Sequence, residues 1–317
     1  MHEKSTPPQV SIIIPTYNRA ELIGRSIKSV LQQSYQDFEI IVIDDGSNDN
    51  SGEVISSFND ERIIYLRRAE RGGVAKARNE GIIRARGSFI AFQDSDDEWL
   101  PEKLEKQIKI FEQATPKLGV VYSNMWKIDK DGKKEQKFAP RIMPEDRIVY
   151  KDALRHRLMN IGIVSALINR ACFEKVGIFD EKLLRYVDLE LLMRVSKYYY
   201  FYHLSEPLVK YYITNNSISS DRNALISAEK VILDKYYQDI KKDRKLLSKR
   251  LYWIGTLLCQ EGQMLQGRKY ILQAIKKSPI NIKFILVFFV SFAGNKNYRR
   301  IITIKNLIIC RIEKFNK

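Results

Sequence analysis

Residues 94–98 read Asp-Ser-Asp-Asp-Glu, four carboxylates within five positions, one residue after the apolar stretch "SFIAF". Like charges this close resist ionising beside one another, so positive charge is expected among them. Asp94-Ser-Asp96 is a D-x-D: hard oxygen ligands on a turn. Such a pair suits Mg²⁺ or Mn²⁺, with the remaining coordination positions left to phosphate oxygens. The cation would neutralise both the carboxylates and a diphosphate. A lone D-x-D is more often a solvated acidic turn, here one capping the helix that starts near Pro101. This one has company, because Asp44 and Asp45 close a second apolar run, "FEIIVIDD".

Position is what would make these acids useful. The first hundred residues alternate short apolar runs with amphipathic stretches. Val10–Ile14, Phe38–Asp45, Arg62–Leu66 and "SFIAF" read as strands, the first ended by Pro15. Between them, "NRAELIGRSIKSVLQQ" reads as a helix with Ile23, Ile27, Val30 and Leu31 on one face, capped by Asn18 with Glu21 as in a capping box. "GGVAKARNEGIIRARG" is a second helix bracketed by glycines. Near-continuous apolar strands separated by helices imply a parallel sheet covered on both faces. Ligands of such sheets sit beyond the carboxyl ends of the strands, where both acidic clusters fall. After Asp97 the order changes: a helix led by Pro101, a strand "GVVYSNMWKI", a turn "DKDGKK", then strands within "VSALINR" and "YYYFYHL". "DKDGKK" lacks the acids of a calcium loop and reads as a hairpin turn. The aromatic run could stack a sugar, but a half-buried strand accounts for it better. From about Asn223 the pattern is mainly helical, and "GRKYILQAIKKSPIN" resembles half of a helical hairpin.

Charge divides the chain in the same place. Of the net +16, the segment from Arg222 to Lys317 carries +15, from 21 Lys and Arg against 6 Asp and Glu. That excess points to an anionic partner. Basic residues beside "FILVFFVSFA" and "IITIKNLII" suit peripheral attachment to an anionic membrane, or else a small helical bundle with solvated lysines. No apolar run approaches the roughly 20 residues of a membrane-spanning helix. The N-terminal residues show no signal-peptide pattern, and Cys172, Cys259 and Cys310 match no metal or redox spacing, so a reduced, cytoplasmic protein is expected.

The blocks "SIIIPTYNR", "EIIVIDDGSNDNS", "GGVAKARNEGI", "GSFIAFQDSDDEWLPEKLEKQI" and "KVGIFDEKLLRYVDLELLMRV" fall in order. Together they closely resemble the family 2 glycosyltransferases, inverting enzymes of the GT-A fold, over roughly Val10–Ser220. The resemblance implies an α/β fold of the nucleotide-diphospho-sugar transferase type. Its Rossmann-like, mixed but mainly parallel sheet would occupy residues 1–220, with a helical, basic extension at 221–317. It implies a nucleotide site made by Pro15, Thr16, Tyr17, Asp44, Asp45, Arg78, Asp94 and Ser95. Asp45, with Asp44 beside it, would accept the base's ring N–H, which a carboxylate can do for uracil. Arg78 would lie near the phosphates, and Asp94 and Asp96 would hold Mn²⁺ or Mg²⁺, Asp96 more directly. Asp188 would be the catalytic base.

The sequence departs from the family's pattern at three places. The Glu that usually precedes the base is Val187; a basic residue and a His in a later segment are Tyr212 and Thr214; and Gln93 stands before the D-x-D where an apolar residue is usual. The resemblance implies transfer from a nucleotide-sugar, UDP favoured, to a hydroxyl of a glycan or lipid-linked glycan in surface polysaccharide synthesis. A nucleotidyltransferase would show a Gly-rich basic loop after the first strand, and "PTYNRAE" is not one. A nucleotide-binding scaffold without transfer activity is the other alternative. No helix-turn-helix, zinc or RNP pattern supports nucleic-acid binding.

Overall fold

A computed structural model describes residues 6–129, 134–138, 149–213 and 221–301. The chain divides into two compact units: one of Met1–Lys182 with Tyr186–Ser217, the other of Leu183–Arg185 with Ile218–Lys317.

The first unit is built on one mixed sheet. Its strands are β1 (Val10–Thr16), β2 (Phe38–Asp44), β3 (Ile63–Arg67), β4 (Phe89–Phe92), β5 (Glu98–Trp99), β6 (Leu118–Ile128), β7 (Lys134–Phe138), β8 (Ala166–Asn169) and β9 (Tyr200–Tyr212). They run in the order β3-β2-β1-β4-β8-β6-β9-β5, with β7 paired on β6. β3, β2, β1 and β4 are parallel; β8 joins β4 to β6 antiparallel, and β6 pairs parallel with β9. Every residue of β1 and β2 is buried, as the unbroken apolar runs require of strands covered on both faces. The helices are α1 (Ala20–Leu31), α2 (Ser51–Ser56), α3 (Val74–Arg84), α4 (Lys103–Gln113), α5 (Tyr150–Leu154), α6 (Arg170–Val176) and α7 (Val187–Val195). α1 buries Ile23, Ile27 and Val30 and turns Lys28 and Glu21 to solvent.

Two local expectations are corrected. Pro15 does not end β1, which pairs with β2 as far as Thr16. Gln93 N–H donates to the Ile13 carbonyl, so alternate residues from Ile13 face β4, and β4 pairs only up to Ile13. Pro15 therefore meets no ladder acceptor, and its missing N–H costs nothing. Nor does Asn18 cap α1. It sits in the left-handed region at φ 50° and its Oδ1 accepts from Asn48 N–H. The amides of Arg19 and Ala20 at the start of α1 are instead taken by Ser51 Oγ, at the head of α2, and by Asp49 Oδ2 in the loop before it. A cap supplied from thirty residues away leaves no local signature. β6 and β7 pair antiparallel as a hairpin would, and the turn residues 130–133 lie outside the described residues.

The second unit contains α8 (Arg222–Lys235), α9 (Tyr237–Ile240), α10 (Arg244–Gln260), α11 (Met264–Lys277) and α12 (Ile282–Val290). Asp221 and Asp243 cap α8 and α10 through their side chains. α10 and α11 touch through Gly255 and Gly267: a Cβ on Gly255 would meet the Gly267 carbonyl, and one on Gly267 the Cys259 sulfur. Around this contact Cys259, Ile271, Val287 and Tyr298 form a core, with Tyr252 stacked on Phe284 at 4.4 Å. A buried ion pair ties α8 to α10, Arg250 donating to Glu229 at 2.9 Å while Trp253 Nε1 donates to the other carboxylate oxygen.

Candidate active site

The carboxyl ends of β1, β2 and β4 deliver the sequence-derived residues to one edge of the sheet. Thr16 lies opposite Asp44 in the ladder, and its carbonyl accepts from Asp45 N–H. The two aspartates then do different work. Asp44 accepts from Ser47 N–H at 2.8 Å and from Tyr65 Oη at 2.7 Å, so both oxygens are used within the fold. Burial, then Asp44 itself, raises the Tyr65 hydroxyl to about 12. Asp45 accepts from Gly72 and Gly73 N–H at 2.8 and 2.7 Å, one amide per oxygen; Arg68 also stands 3.5 Å from Oδ1, so Oδ2 is the oxygen with an acceptor position to spare. Gly73 holds φ 89°, a conformation glycine adopts without cost, and this turn aims both amides at Asp45. The Tyr17 ring is faced by Arg71, whose guanidinium carbon lies 4.1 Å from the ring centre.

Past β4, three of the four acids of the cluster, Asp94, Asp96 and Glu98, meet cations. Arg78 Nη2 donates to Asp94 Oδ1 at 2.9 Å, and Arg19 stands 3.8 Å from Asp96. Arg25 donates to the Asp96 carbonyl and stands 3.1 Å from Glu98, which also accepts from Lys210 and Tyr212. Asp97 is buried and accepts from Tyr212 N–H, while its Oδ2 has no hydrogen-bond partner among the described residues. Burial, then the neighbouring Asp94, pushes the Asp97 carboxyl well above its ordinary range. Ser95 is buried in the turn. Gln93 is fully buried and donates to the Asp97 carbonyl, which holds the turn shut. The positive charge that the sequence demanded is thus partly protein.

Arg78 carries the most information. It is buried on α3 and bridges two elements, donating to Asp94 at the end of β4 and, at 2.6 Å, to Asp188 Oδ1 in the first turn of α7. Burial works against its charge, but Asp188 and Asp94 outweigh that and hold the guanidinium protonated. Its Nε has no partner among the described residues. The Asp188 side chain remains 34 % exposed. Burial raises its pKa, Arg78 pulls it down and Asp94 adds to the rise; the net direction is up. Such a carboxylate is a stronger proton acceptor than an ordinary aspartate. Val187, where a second acid is usual, is buried apolar packing. Thr214 lies outside the described residues; Tyr212 is spent on Asp97 and Glu98.

Among the described residues, no three His, Cys, Asp or Glu side chains gather as a ready metal cage. Asp94 and Asp96 nonetheless fit a hard divalent cation. Both are carboxylates, and burial followed by the charge of Asp94 raises the Asp96 carboxyl, a repulsion that a dication relieves. Sequence reasoning missed Arg19, Arg25, Lys210 and Arg71. A signal existed for Arg25: Ser26 and Ser29 interrupt the apolar face of α1, and both hydroxyls serve the acidic loop, at Asp94 O and Trp99 N. Small polar residues on a buried helix face mark the close approach of another segment.

Residues 11–177 match the family described as Glycosyl transferase family 2. TuaG of Bacillus subtilis, named as a teichuronic acid biosynthesis glycosyltransferase, is 35% identical over 220 residues, 68% of this chain and 83% of that protein. WfgD of Escherichia coli, named as a UDP-Glc:alpha-D-GlcNAc-diphosphoundecaprenol beta-1,3-glucosyltransferase, is 35% identical over 161 residues, 51% of this chain and 60% of its own. Among solved structures, S. aureus TarS 1–349 in complex with UDP-GlcNAc superposes with a TM-score of 0.69 at 19% identity, covering 92% of this chain and 89% of that one. The mannosyltransferase PcManGT of Pyrobaculum calidifontis, in complex with GDP-Man and Mn²⁺, reaches 0.59 at 18% identity, covering 98% and 87%. These likenesses support the GT-A fold and set aside the nucleotidyltransferase alternative. The chain belongs to glycosyl transferase family 2 and is a glycosyltransferase.

Proposed function

We propose that this protein transfers a sugar, with inversion, from a UDP-sugar to a hydroxyl of a lipid-linked or polymeric glycan in surface polysaccharide synthesis. The observation that carries the reading is the Arg78 bridge, which sets Asp188 and the D-x-D on one guanidinium. UDP is favoured by Asp45, an acceptor suited to the uracil ring N–H, and by the UDP-sugars in the names of WfgD and the TarS complex. In this reading Pro15 and Thr16 supply backbone and Tyr17 a ring face for the base, with Asp44 fixing the loop beside Asp45 through Ser47 and Tyr65. Arg78 and Ser95 lie toward the diphosphate. Asp94 and Asp96 would hold Mn²⁺ or Mg²⁺, which when bound supplies stabilisation of charge on the leaving diphosphate. Asp188 takes the proton of the acceptor hydroxyl as that oxygen attacks the anomeric carbon opposite the leaving group, and the carbon inverts. Holding both partners in line supplies much of the remaining rate.

The acceptor is proposed to be presented at the cytoplasmic surface of a membrane. No helix among the described residues is long and apolar enough to cross one. α12 instead leaves Ile282, Leu286 and Phe289 69 %, 59 % and 66 % exposed on one face, while Phe284 and Val287 pack inward. Lys276, Lys277 and Lys283 lie on or beside this segment, and Lys296, Arg299 and Arg300 follow it. A two-sided helix with exposed large apolar groups and basic neighbours suits the interface of an anionic bilayer.

The test is release or transfer of labelled sugar from UDP-Glc and UDP-GlcNAc with Mn²⁺ and a membrane-extracted acceptor. Turnover by the wild type, lowered about 10²–10⁴-fold in Asp188→Asn, is expected. Equal turnover in Asp188→Asn would remove it from the role of base.

A further inference from the structure

The second unit contains a cleft of about 480 Å³ between α8, α9, α10 and α11, a size within the range of small-molecule sites. Its lining is not that of a core defect. Leu233 and Leu251 form an apolar floor, and two tyrosines, Tyr237 and Tyr270, contribute rings. α11 makes the polar wall: Gln266, Lys269 and Gln273 recur at helical spacing on the cleft side, while Gly267, Ile271 and Ala274 on the opposite face are buried. α8 adds Asp234 and Lys230, whose ammonium lies 5.9 Å from the centre of the Tyr270 ring.

Each component fits a saccharide. Aromatic rings offer apolar faces to the C–H side of a sugar ring, and their hydroxyls stay available for hydrogen bonds. The side-chain amides of Gln266 and Gln273 each present a donor and an acceptor, the pairing that neighbouring sugar hydroxyls require. Two lysines against one aspartate leave the lining positive. A short row of two cations is too sparse for a nucleic-acid backbone, which needs a phosphate contact at each step along a groove.

We propose that this cleft is a second carbohydrate site, which takes an acidic segment, bearing carboxylate or phosphate groups, of the glycan that the enzyme extends. The identity of the ligand as an acceptor rests on the glycosyl-transfer reading; the binding itself does not. The chemistry that must supply such a ligand is a prior transfer of a uronic acid or a polyol phosphate onto the growing chain.

The experiment titrates the full-length protein by calorimetry with a galacturonate tetramer, a glycerol-phosphate tetramer, a neutral maltotetraose and a uridylate RNA tetramer. Variants are Lys269→Glu and Tyr237→Ala, both at exposed positions, with UDP affinity in Mn²⁺ as the fold control. The wild type should bind one or both acidic glycans, more weakly at high salt. Lys269→Glu should weaken that binding by about tenfold or more with UDP affinity unchanged, because a like charge then faces the ligand. Tyr237→Ala should weaken it with the salt dependence retained. The galacturonate and glycerol-phosphate arms separate carboxylate from phosphate recognition. No binding of either acidic tetramer, equal binding by maltotetraose, tighter binding of the RNA, or full affinity in Lys269→Glu would overturn the proposal. Absent sugar release from UDP-sugars, with tetramer binding intact, would count against the transfer reading and leave the cleft standing.

Discussion

Arg78 touches both the acid that would hold metal and the acid that would take the proton, so its removal has a readable signature. Asp188 must be ionised to act. Burial raises its pKa and Arg78 opposes the rise, so activity is lost as pH falls through a value above the ordinary aspartate range of about 3.9. Arg78→Gln removes the opposing charge, and the acid limb of kcat/KM is expected to move to higher pH. An unmoved or lowered limb in a folded Arg78→Gln enzyme would contradict the pairing. Asp97 allows a second prediction. Its raised folded pKa means the fold favours the protonated form, so stability declines as pH rises above the unfolded value. Asp97→Asn keeps an acceptor for Tyr212 N–H and is expected to stabilise the fold at neutral pH. The gain should vanish near pH 4, and denaturant melts at both pH values check it. At this scale the sequence singled out Asp94, Asp96, Asp188 and Arg78, and the structure joins Asp94 and Asp188 through Arg78. It did not show that the acids are answered by Arg19, Arg25 and Lys210, because those partners are 73 to 112 residues apart in sequence.

Elements were legible where one covalent stretch determines them. The buried runs of β1 and β2 and the amphipathic face of α1 needed only local periodicity. β5, two residues long, was not legible, since it exists only by pairing with β9 more than a hundred residues away. The Pro15 and Asn18 errors share that cause: whether a proline interrupts a strand, or an asparagine caps a helix, depends on what lies alongside. Gly81 gives the element-scale test. α3 carries Arg78 and rests on β1 at Gly81, where an added Cβ would meet the Ile13 side chain. Gly81→Val is expected to destabilise by about 1–3 kcal/mol through overpacking. A denaturation midpoint within error of the wild type would show that α3 does not lie against β1 this closely.

The whole molecule separates a nearly neutral first part from a strongly basic helical unit. Composition made that asymmetry visible; what the excess charge is for depends on surfaces that composition cannot draw. The exposed face of α12 supplies the missing half, since lysines beside a fully buried bundle would be solvation alone. Flotation with vesicles containing anionic lipid is therefore expected, weakened by salt and strongly reduced in Leu286→Glu/Phe289→Glu. Equal flotation of that double variant would place the membrane contact elsewhere. The stretch "IITIKNLII" lies outside the described residues and takes no part in this test.

The central claim is a division of labour between donor binding at the D-x-D and proton abstraction on α7. Calorimetric titration of UDP with Mn²⁺ into the wild type, Asp96→Asn and Asp188→Asn tests it most directly. Asp96→Asn should lose about tenfold or more in affinity, and Asp188→Asn should stay within about threefold of the wild type. Affinity lost equally in Asp188→Asn, or kept in full by Asp96→Asn, would contradict the account.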